Sequence, residues 1–472
     1  MNRPSRRLRS RRARAVSARL LVTAGTIAAM CLLTASVGAS AQPRSSTSYG
    51  ATTITRLKVP SSPVGKQLRW LLGVPSQLPL SNEVISVHFD KAFLAQVSPS
   101  VLNQALESLG PPGSEATLLG LSRVAERSLV ALVRIGPSQY TVDLVVDGRG
   151  LISGLLFKPA GASVTQTWSQ IESHVSSIAP GTSFLAAKLN AAGTCVALKS
   201  VSAETPRPLG SMFKLFVLGA LANAIREHKV SWSQKVTVTA AIKVGGSGTL
   251  QNAPDGTKLT VEQAAVKMIS ISDNTAADML LQLVGRTAVE NQVRAWSTHA
   301  SLDIPFLTVS ELFALKYHDF PSFADHYLSL NPSQRTRFLA TTVDKVQAGG
   351  EKGASTPRDI DSIEWFASAN DLCRALAGLA ALQAEPGLSP LDKVLSTNNG
   401  GISLDAKTWP RIWFKGGSEP GVLTLGYLAR DNRGQNFAVI VLTEDTKKPV
   451  QESAAVELGA LDDIAGSFGL MG

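Results

Sequence analysis

The sequence has few of the side chains that bind metal ions. Its 472 residues include 3 cysteines and 6 histidines. No two histidines have the H-x-x-x-H spacing of a helical metal site, and the two cysteines that follow the N-terminal segment, Cys195 and Cys373, are too few for a zinc cluster. We therefore assign no metal and no cofactor. Whether Cys195 and Cys373 form a disulfide or remain buried thiols is open at this point.

A second absence concerns hydrolase motifs. No G-x-S-x-G pentapeptide occurs anywhere in the chain. That motif places the nucleophile of α/β-hydrolases on a sharp turn between a strand and a helix. Its absence removes the main Ser-His-Asp hydrolase interpretation, so a reactive serine needs a different base.

Acidic residues are missing from the N-terminal segment, and this explains most of the formal charge of +10. Eight arginines lie between Arg3 and Arg19, and no Asp or Glu precedes Gln42. The remaining chain carries 38 basic and 36 acidic residues. The high pI is therefore not evidence for a phosphate-binding surface, and we predict no nucleic-acid partner.

The N-terminal segment has the order of an export signal. The arginine-rich run is followed by an apolar stretch from Leu20 to Gly38 and by Ala39-Ser40-Ala41, a small-residue cleavage site. We predict a cleaved signal peptide over 1–41, contact with a membrane only during export, and a secreted or cell-envelope protein. An uncleaved anchor is the alternative, since the apolar stretch can just span a bilayer. The pair Arg6-Arg7 leaves Sec and twin-arginine export both open.

Composition and periodicity divide the rest of the chain into three parts. Residues 42–80 are rich in Ser, Thr and Pro and predict a flexible tether with one short helix near Gln67–Leu72. Residues 81–160 predict a small α+β domain, and residues 165–472 a larger one. The smaller domain has two helical patterns followed by three strand-like runs, at Lys91–Val97, Pro99–Leu109, Ser128–Ile135, Tyr140–Val146 and Leu151–Phe157.

A serine and a lysine begin an apolar helix in the larger domain. The turn at Pro208-Leu209-Gly210 leads into Ser211, and Lys214 follows three residues later. Residues at i and i+3 lie on one helix face, so the hydroxyl and the amine can meet. Burial disfavours the charged form of a lysine, and such a lysine can act as the base for a serine. The alternative is an N-cap serine beside a solvated lysine.

Two further motifs favour the catalytic interpretation. A predicted helix, Val261–Ser270, leads to Ser272-Asp273-Asn274, and a predicted strand, Arg411–Phe414, leads to Lys415-Gly416-Gly417. With Ser211 and Lys214 they follow the order of the S-x-x-K, S-D-N and K-T-G motifs. Residues 165–472 thus resemble class A β-lactamases and penicillin-binding proteins. The resemblance implies an α/β (α+β) sandwich with an antiparallel sheet and a helical subdomain.

The whole layout resembles a narrower group. Residues 81–160 resemble the cystatin-like or steroid-isomerase-like domain of certain actinobacterial β-lactamase-like proteins. Together with the run Lys415-Gly416-Gly417-Ser418-Glu419-Pro420-Gly421, the two-domain layout is most similar to the β-lactamase-like hydrolase of clavulanic acid biosynthesis and its exported relatives. We expect the smaller domain to be a packed accessory domain.

The resemblance implies a role for each motif residue. Ser211 is the nucleophile and Lys214 its base, Ser272 passes a proton to the leaving group, and Lys415 supplies positive charge. Asp273 braces its loop, and the backbone N–H groups of Ser211 and Ser418 form an oxyanion hole. The implied substrate-binding residues are Asn274, Gly417 and Ser418.

Two departures from the family pattern limit what is implied. Gly416 stands where a hydroxyl residue usually follows the motif lysine, and Ser418 is a partial replacement. No E-x-x-L-N loop supplies a deacylating glutamate. Glu311 lies at a suitable distance along the chain, but Thr308-Val309-Ser310-Glu311 predicts a capping box instead. The chain also predicts an insertion within 317–364.

The function predicted from these features is that of an exported serine hydrolase that forms an acyl-enzyme with a small-molecule β-lactam or ester. Two alternatives remain open. One is a penicillin-binding DD-peptidase that acts on peptidoglycan peptides, and the other is a non-catalytic binding protein with a degenerate pocket. Inertness of both the wild type and Ser211→Ala toward esters and β-lactams would favour the last.

Overall fold

The computed structural model describes residues 59–472 except 95–96, 111–112, 123–125, 137, 160–165, 347–355, 403 and 451–453. The predicted signal peptide, 1–41, and residues 42–58 of the predicted tether lie outside the described residues. Within the described part of the chain, no helix is both long enough and apolar enough to cross a membrane.

The first unit of the fold is an antiparallel sheet of four strands in the order β1-β2-β3-β4, covered by short helices. Its helices are α1 (Pro63–Leu71), α2 (Asn82–His88), α3 (Lys91–Leu94) and α4 (Pro99–Glu107), and its strands are β1 (Ala116–Ser122), β2 (Ser128–Ile135), β3 (Ser138–Val146) and β4 (Ile152–Pro159). The first strand and α2 were not predicted from the sequence. Helices followed by a meander agree with the predicted order of elements.

The structure differs from the predicted tether over residues 59–80. Helix α1 begins where the Ser62 hydroxyl accepts a hydrogen bond from the Gly65 nitrogen at 3.3 Å, with Pro63 at its first position. Val64 and Leu68 are fully buried against the sheet. Because these apolar residues are four apart, they form one helix face. Helix α1 overlaps the short helix predicted near Gln67–Leu72, but it begins at Pro63 and packs on the sheet instead of lying in a flexible tether.

The second unit contains the three motifs. Its strands are β5 (Gly181–Leu189), β6 (Cys195–Val201), β7 (Arg207–Pro208), β8 (Lys235–Thr237), β9 (Lys258–Thr260), β10 (Phe366–Ala367), β11 (Arg411–Glu419), β12 (Val422–Arg430) and β13 (Asn436–Glu444). Its α-helices are α5 (Trp168–Ser177), α6 (Lys214–Arg226), α7 (Val261–Ser270), α8 (Asn274–Val284), α9 (Arg286–Trp296), α10 (Val309–Tyr317), α11 (Ser322–Ser329), α12 (Pro332–Thr341), α13 (Ala369–Gln383), α14 (Pro390–Ser396) and α15 (Ala454–Met471).

A five-stranded antiparallel sheet in the order β11-β12-β13-β5-β6 lies between two layers of helices. Alternate residues of β13 enter different cores, as the pleat of a strand requires. Val439 and Val441 pack with α5 and α15, whereas Ile440 and Leu442 pack in the larger core with α6 and α13. In this strand order β11 is an edge strand, so one of its sides can border a site.

The two cysteines that follow the N-terminal segment form a disulfide. It joins Cys195 of β6 to Cys373 of α13, with their Cα atoms 6.3 Å apart. The bond fixes the far edge strand of the sheet to a helix of the larger core. A disulfide of this kind persists in oxidising compartments.

Candidate active site

The nucleophile segment enters the site through a tight turn. After β7 a 3₁₀ turn spans Gly210–Phe213, and α6 begins at Lys214. Gly210 has φ +49°, a conformation that favours glycine. In a 3₁₀ turn residues i and i+3 are directly aligned, so Ser211 and Lys214 share a face although the α-helix begins later than the sequence predicts.

Lys214 lies at the centre of the site. Its side chain is fully buried, and its Nζ lies 3.0 Å from the Ser211 Oγ. The same Nζ lies 3.0 Å from the Ser272 Oγ, 2.6 Å from the Ser272 carbonyl oxygen and 2.6 Å from the Asn274 Oδ1. One amine thus contacts two hydroxyl groups, and it is positioned to move a proton between them.

The Ser272-Asp273-Asn274 turn is held by its own side chains. Ser272 has φ +55°, and Asp273 caps α8 by accepting from the Ala276 nitrogen at 2.9 Å. The second Asp273 oxygen accepts from the nitrogens of Thr249 and Leu250 at 2.6 and 2.9 Å. These bonds fix the turn between α7 and α8 against a neighbouring loop.

The amide of Asn274 is oriented by the same loop. Its Nδ2 donates to the Gly245 carbonyl oxygen at 2.8 Å. This assigns the Oδ1 atom to the side that faces the amine of Lys214. Asn274 therefore fixes the direction from which Lys214 approaches Ser211.

Lys415 approaches the site from strand β11. Its Nζ lies 3.1 Å from the Ser272 Oγ and 2.5 Å from the Gly416 carbonyl oxygen, and the residue is 2 % exposed. Burial, together with the positive charge of Lys214, lowers the pKa of Lys415 well below its usual value. The Ser272 hydroxyl consequently lies between two amines.

Close packing of two backbones brings the remaining predicted residues to the nucleophile. A Cβ on Gly417 would lie 2.5 Å from the Ser211 nitrogen and would also overlap the Leu209 carbonyl oxygen. A Cβ on Gly210 would lie 2.9 Å from the Ser418 nitrogen. The Thr424 hydroxyl of β12 lies 2.8 Å from the Leu209 carbonyl oxygen and 3.2 Å from the Gly417 carbonyl oxygen, and so connects the two segments. Both glycines are required at this contact.

Glu311 is bound within its own helix end. Its Oε1 accepts from the Arg286 Nη2 at 2.6 Å, and its Oε2 accepts from the Thr308 nitrogen at 2.7 Å. The Thr308 hydroxyl accepts in turn from the Glu311 nitrogen, which completes the predicted capping box. Burial raises the pKa of Glu311, and the Arg286 guanidinium opposes that rise.

Asp278 is a supporting residue that the sequence did not assign. It is buried on α8, and its two oxygens accept from the nitrogens of Val309 and Ser310 at 2.7 and 2.9 Å. Burial raises the pKa of Asp278 to about 7. Its position one turn after Asn274 was the available signal, since a carboxylate there faces the same side of the helix.

The structure therefore brings together Ser211, Lys214, Ser272, Asn274 and Lys415, with Gly417 and Ser418 against the nucleophile backbone. A model of the beta-lactamase enzyme family matches residues 195–461, more than half of the chain. The chain belongs to the beta-lactamase enzyme family. This is the family of serine hydrolases that the three motifs indicated.

The other comparisons are more limited. A model described as the N-terminal part of the ORF 12 gene product matches residues 59–152. No curated protein matches the sequence. Among solved structures, the beta-lactamase from Sphaerobacter thermophilus DSM 20745 is 21% identical and has a TM-score of 0.44, with 64% of this chain and 96% of that chain covered. The structure of PBP-A is 16% identical and has a TM-score of 0.43, with 66% of this chain and 99% of that chain covered.

Proposed function

We propose that this protein is an exported serine hydrolase that forms an acyl-enzyme at Ser211 with β-lactam amides or esters. In this proposal Lys214 takes the proton of the Ser211 hydroxyl as the oxygen attacks the carbonyl carbon. Ser272 then gives a proton to the leaving group and is reprotonated through Lys214 or Lys415. Asn274 orients the substrate.

The observation that carries the proposal is the position of the buried Lys214 amine, 3.0 Å from each of the Ser211 and Ser272 hydroxyls. A base must lie within hydrogen-bond reach of the proton that it removes. The Lys415 amine on the other side of Ser272 completes a path for that proton. A solvated lysine beside an N-cap serine does not have these contacts.

The proposed oxyanion site is made of backbone groups. The N–H groups of Ser211 and Ser418 belong to the two segments that pack through Gly210 and Gly417. Fixed N–H donors of this kind stabilise a tetrahedral intermediate because they need no rearrangement during the reaction.

Gly416 limits the contacts available to a substrate carboxylate. A glycine there offers no hydroxyl, and Ser418 is the exposed hydroxyl residue nearest along the strand. Because the site depends less on a substrate carboxylate, this favours esters as substrates as well as β-lactams. The run Lys415-Gly416-Gly417-Ser418 and the first unit, which precedes the site, also support a close relation to the hydrolase of clavulanic acid biosynthesis.

Two proposals concern the rest of the chain. The first unit would be a cystatin-like or steroid-isomerase-like accessory domain, since its meander encloses a core filled by side chains such as Leu68, Val133 and Val142. Export to the cell envelope or beyond is supported by the Cys195–Cys373 disulfide, which needs an oxidising compartment.

Intact-mass spectrometry tests the proposed function. We expect wild-type protein incubated with penicillins, cephalosporins or simple esters to gain the mass of one acyl group. Peptide mapping should place that group on Ser211. Absence of any adduct across the three classes, or an adduct on another residue, would reject the proposal.

Slow hydrolysis of the acyl-enzyme is a second prediction. Because both Glu311 oxygens are bound by Arg286 and Thr308, we expect the benzylpenicillin adduct to persist and Glu311→Gln to leave its decay rate unchanged. The variant should still lower the free energy of unfolding, by about 1–3 kcal/mol, because it weakens a buried pair. Decay of the adduct mass and urea denaturation measure the two effects. Rapid turnover that Glu311→Gln abolishes would contradict this assignment.

A penicillin-binding DD-peptidase is the second candidate, and the bound state of Glu311 favours it. An enzyme that acylates without an activated water retains penicillin as a stable label. Release of D-Ala from a peptidoglycan peptide, together with stable labelling by a fluorescent penicillin, would select this candidate over the esterase or β-lactamase.

A further inference from the structure

Three charged side chains are buried directly behind the nucleophile segment. Glu364 precedes β10, Glu419 ends β11, and Lys316 lies on α10. Their exposures are 5 %, 8 % and 0 %. Glu364 also ends the segment, 317–364, in which the sequence predicts an insertion. None of the three has a role in the proposed reaction.

The contacts of the cluster connect these residues to one another. The Lys316 Nζ donates to both oxygens of Glu419, at 2.7 and 2.9 Å. The side chain of Glu364 lies close enough to that of Glu419 for a hydrogen bond when one of the two carboxyl groups is protonated. The Glu419 carboxylate therefore binds the Lys316 amine, and the Glu364 carboxyl group lies beside that carboxylate in the interior of the protein.

The same cluster is bonded to the backbone of the proposed oxyanion site. One oxygen of Glu364 accepts from the Gly210 nitrogen at 3.2 Å and from the Trp365 nitrogen at 2.8 Å. Gly210 directly precedes Ser211, and Glu419 directly follows Ser418. Glu364 thus binds the residue before one proposed oxyanion donor, and Glu419 is the residue after the other.

The charges of these three buried side chains favour a bound proton. Two ionised carboxylates beside one ammonium would leave a net negative charge in a buried site, which is costly. A proton on one carboxyl group removes that charge and supplies the donor for the bond between the two acids. Burial and the adjacent Glu419 raise the pKa of Glu364 well above its usual value, against the effect of Lys316.

We propose that Glu364 and Glu419 share one proton and that this protonated pair, anchored by Lys316, sets the spacing between Gly210 and Ser418 that the oxyanion site requires. Glu364 is thus a positioning residue for the reaction at Ser211. Loss of the shared proton at high pH makes the two acids repel, and the two donor segments move apart. This inference rests on the proposed function.

Other charged groups surround the cluster. The loop before Glu364 contributes Arg358, whose Nη1 donates to the Lys316 carbonyl oxygen at 3.1 Å. It also contributes Asp359, whose pKa is raised by burial against the opposing charge of Lys316. Beyond β10 the buried Asp303 accepts from the Phe366 nitrogen at 2.7 Å, and burial raises its pKa as well. Asp303 is therefore the matched control for a titration at Glu364. Further out lie Asp325, Asp361, and Arg207 paired with Glu444.

Unfolding curves between pH 5 and 10 test the shared proton without reference to activity. A raised pKa means that folded protein keeps a proton that the unfolded chain releases, so stability falls as pH rises from the unfolded pKa to the folded pKa. Relative to Glu364→Gln, the folding equilibrium constant of wild type should fall by up to about tenfold per pH unit in that window. Asp303→Asn is expected to leave the Glu364-linked difference in place. Curves for wild type and Glu364→Gln that run parallel at all pH values would overturn the proposal.

Acylation rates with a fluorescent penicillin over the same pH range test the positioning role. Wild type should lose rate above the raised pKa of Glu364, and Glu364→Gln should remove that loss because its amide remains a neutral donor and acceptor. Glu364→Ala should be slower at every pH, by about 10–100-fold, since Gly210 loses its acceptor. Asp303→Asn should retain the wild-type loss.

The outcomes separate this inference from the proposed function. Coincident pH profiles for wild type and Glu364→Gln, or equal rates for Glu364→Ala and Glu364→Gln, would overturn the positioning role while acylation itself stands. A wild type that is inert at every pH would reject the proposed function and with it the positioning role. The unfolding curves would still report whether the proton is shared.

Discussion

Ser211→Ala, Lys214→Met and the double variant are each expected to lose at least about 10⁴-fold in acylation rate, and the three losses should be equal. The hydroxyl and the amine act as one unit, because the Lys214 Nζ contacts the Ser211 Oγ at 3.0 Å. Once one partner is lost, the other has no reaction to assist. Methionine retains most of the lysine stem, so the buried volume is nearly filled. The rate of adduct formation, followed by intact mass, measures the effect.

A lysine outside the site supplies the control for this experiment. Lys393 is exposed and pairs with Glu262 at 2.8 Å on the surface. Lys393→Met should acylate at the wild-type rate. Losses at Ser211 and Lys214 that add in the double variant would show that the two groups act independently and would remove Lys214 as the base.

Gly417→Val is expected to reduce acylation by at least about 10²–10³-fold, the cost of losing an oxyanion donor. A side chain at this position overlaps the Leu209 carbonyl oxygen and approaches the Ser211 nitrogen to 2.5 Å. Strand β11 and the nucleophile segment must therefore separate, and the N–H groups of Ser211 and Ser418 can no longer donate to the same oxygen. Pre-steady-state acylation by an ester without a carboxylate gives the measurement.

Ser418→Ala is the matched control, because it removes a hydroxyl and keeps the backbone N–H. We expect it to acylate with such an ester at the wild-type rate. A full loss of rate in Ser418→Ala would assign the role to the side chain instead. Wild-type rates in folded Gly417→Val would exclude an oxyanion site at this contact.

Local patterns were sufficient where the sequence carries its own boundary signals. The helix predicted over Val261–Ser270 has those bounds in the structure, because the Thr260 hydroxyl and Gln263 form a capping box around an amphipathic face. Strand β2 also has its predicted bounds, Ser128–Ile135. The order of the three motifs indicated the family without any coordinates.

Other features depended on contacts that no local pattern contains. Helix α1 was predicted only in part, near Gln67–Leu72 within a flexible tether, because serine and proline dominate the composition around its capped apolar face. The cluster of Glu364, Glu419 and Lys316 is one of these features. Its ion pair joins Lys316 and Glu419, which lie 103 positions apart along the chain. Acids and lysines of this kind are usually solvated, and only burial next to Gly210 gives them significance.

The position of β5 in the sheet has a consequence for the order in which the two units fold. Strand β5 pairs with β13, although more than half of the protein lies between them. Residues 436–444 must therefore be present before the sheet can close, and contacts of such long range form slowly. The first unit, a meander of neighbouring strands, has no such delay. We expect it to fold before the second unit, in which the part that contains Ser211 needs the last strands before its sheet can close.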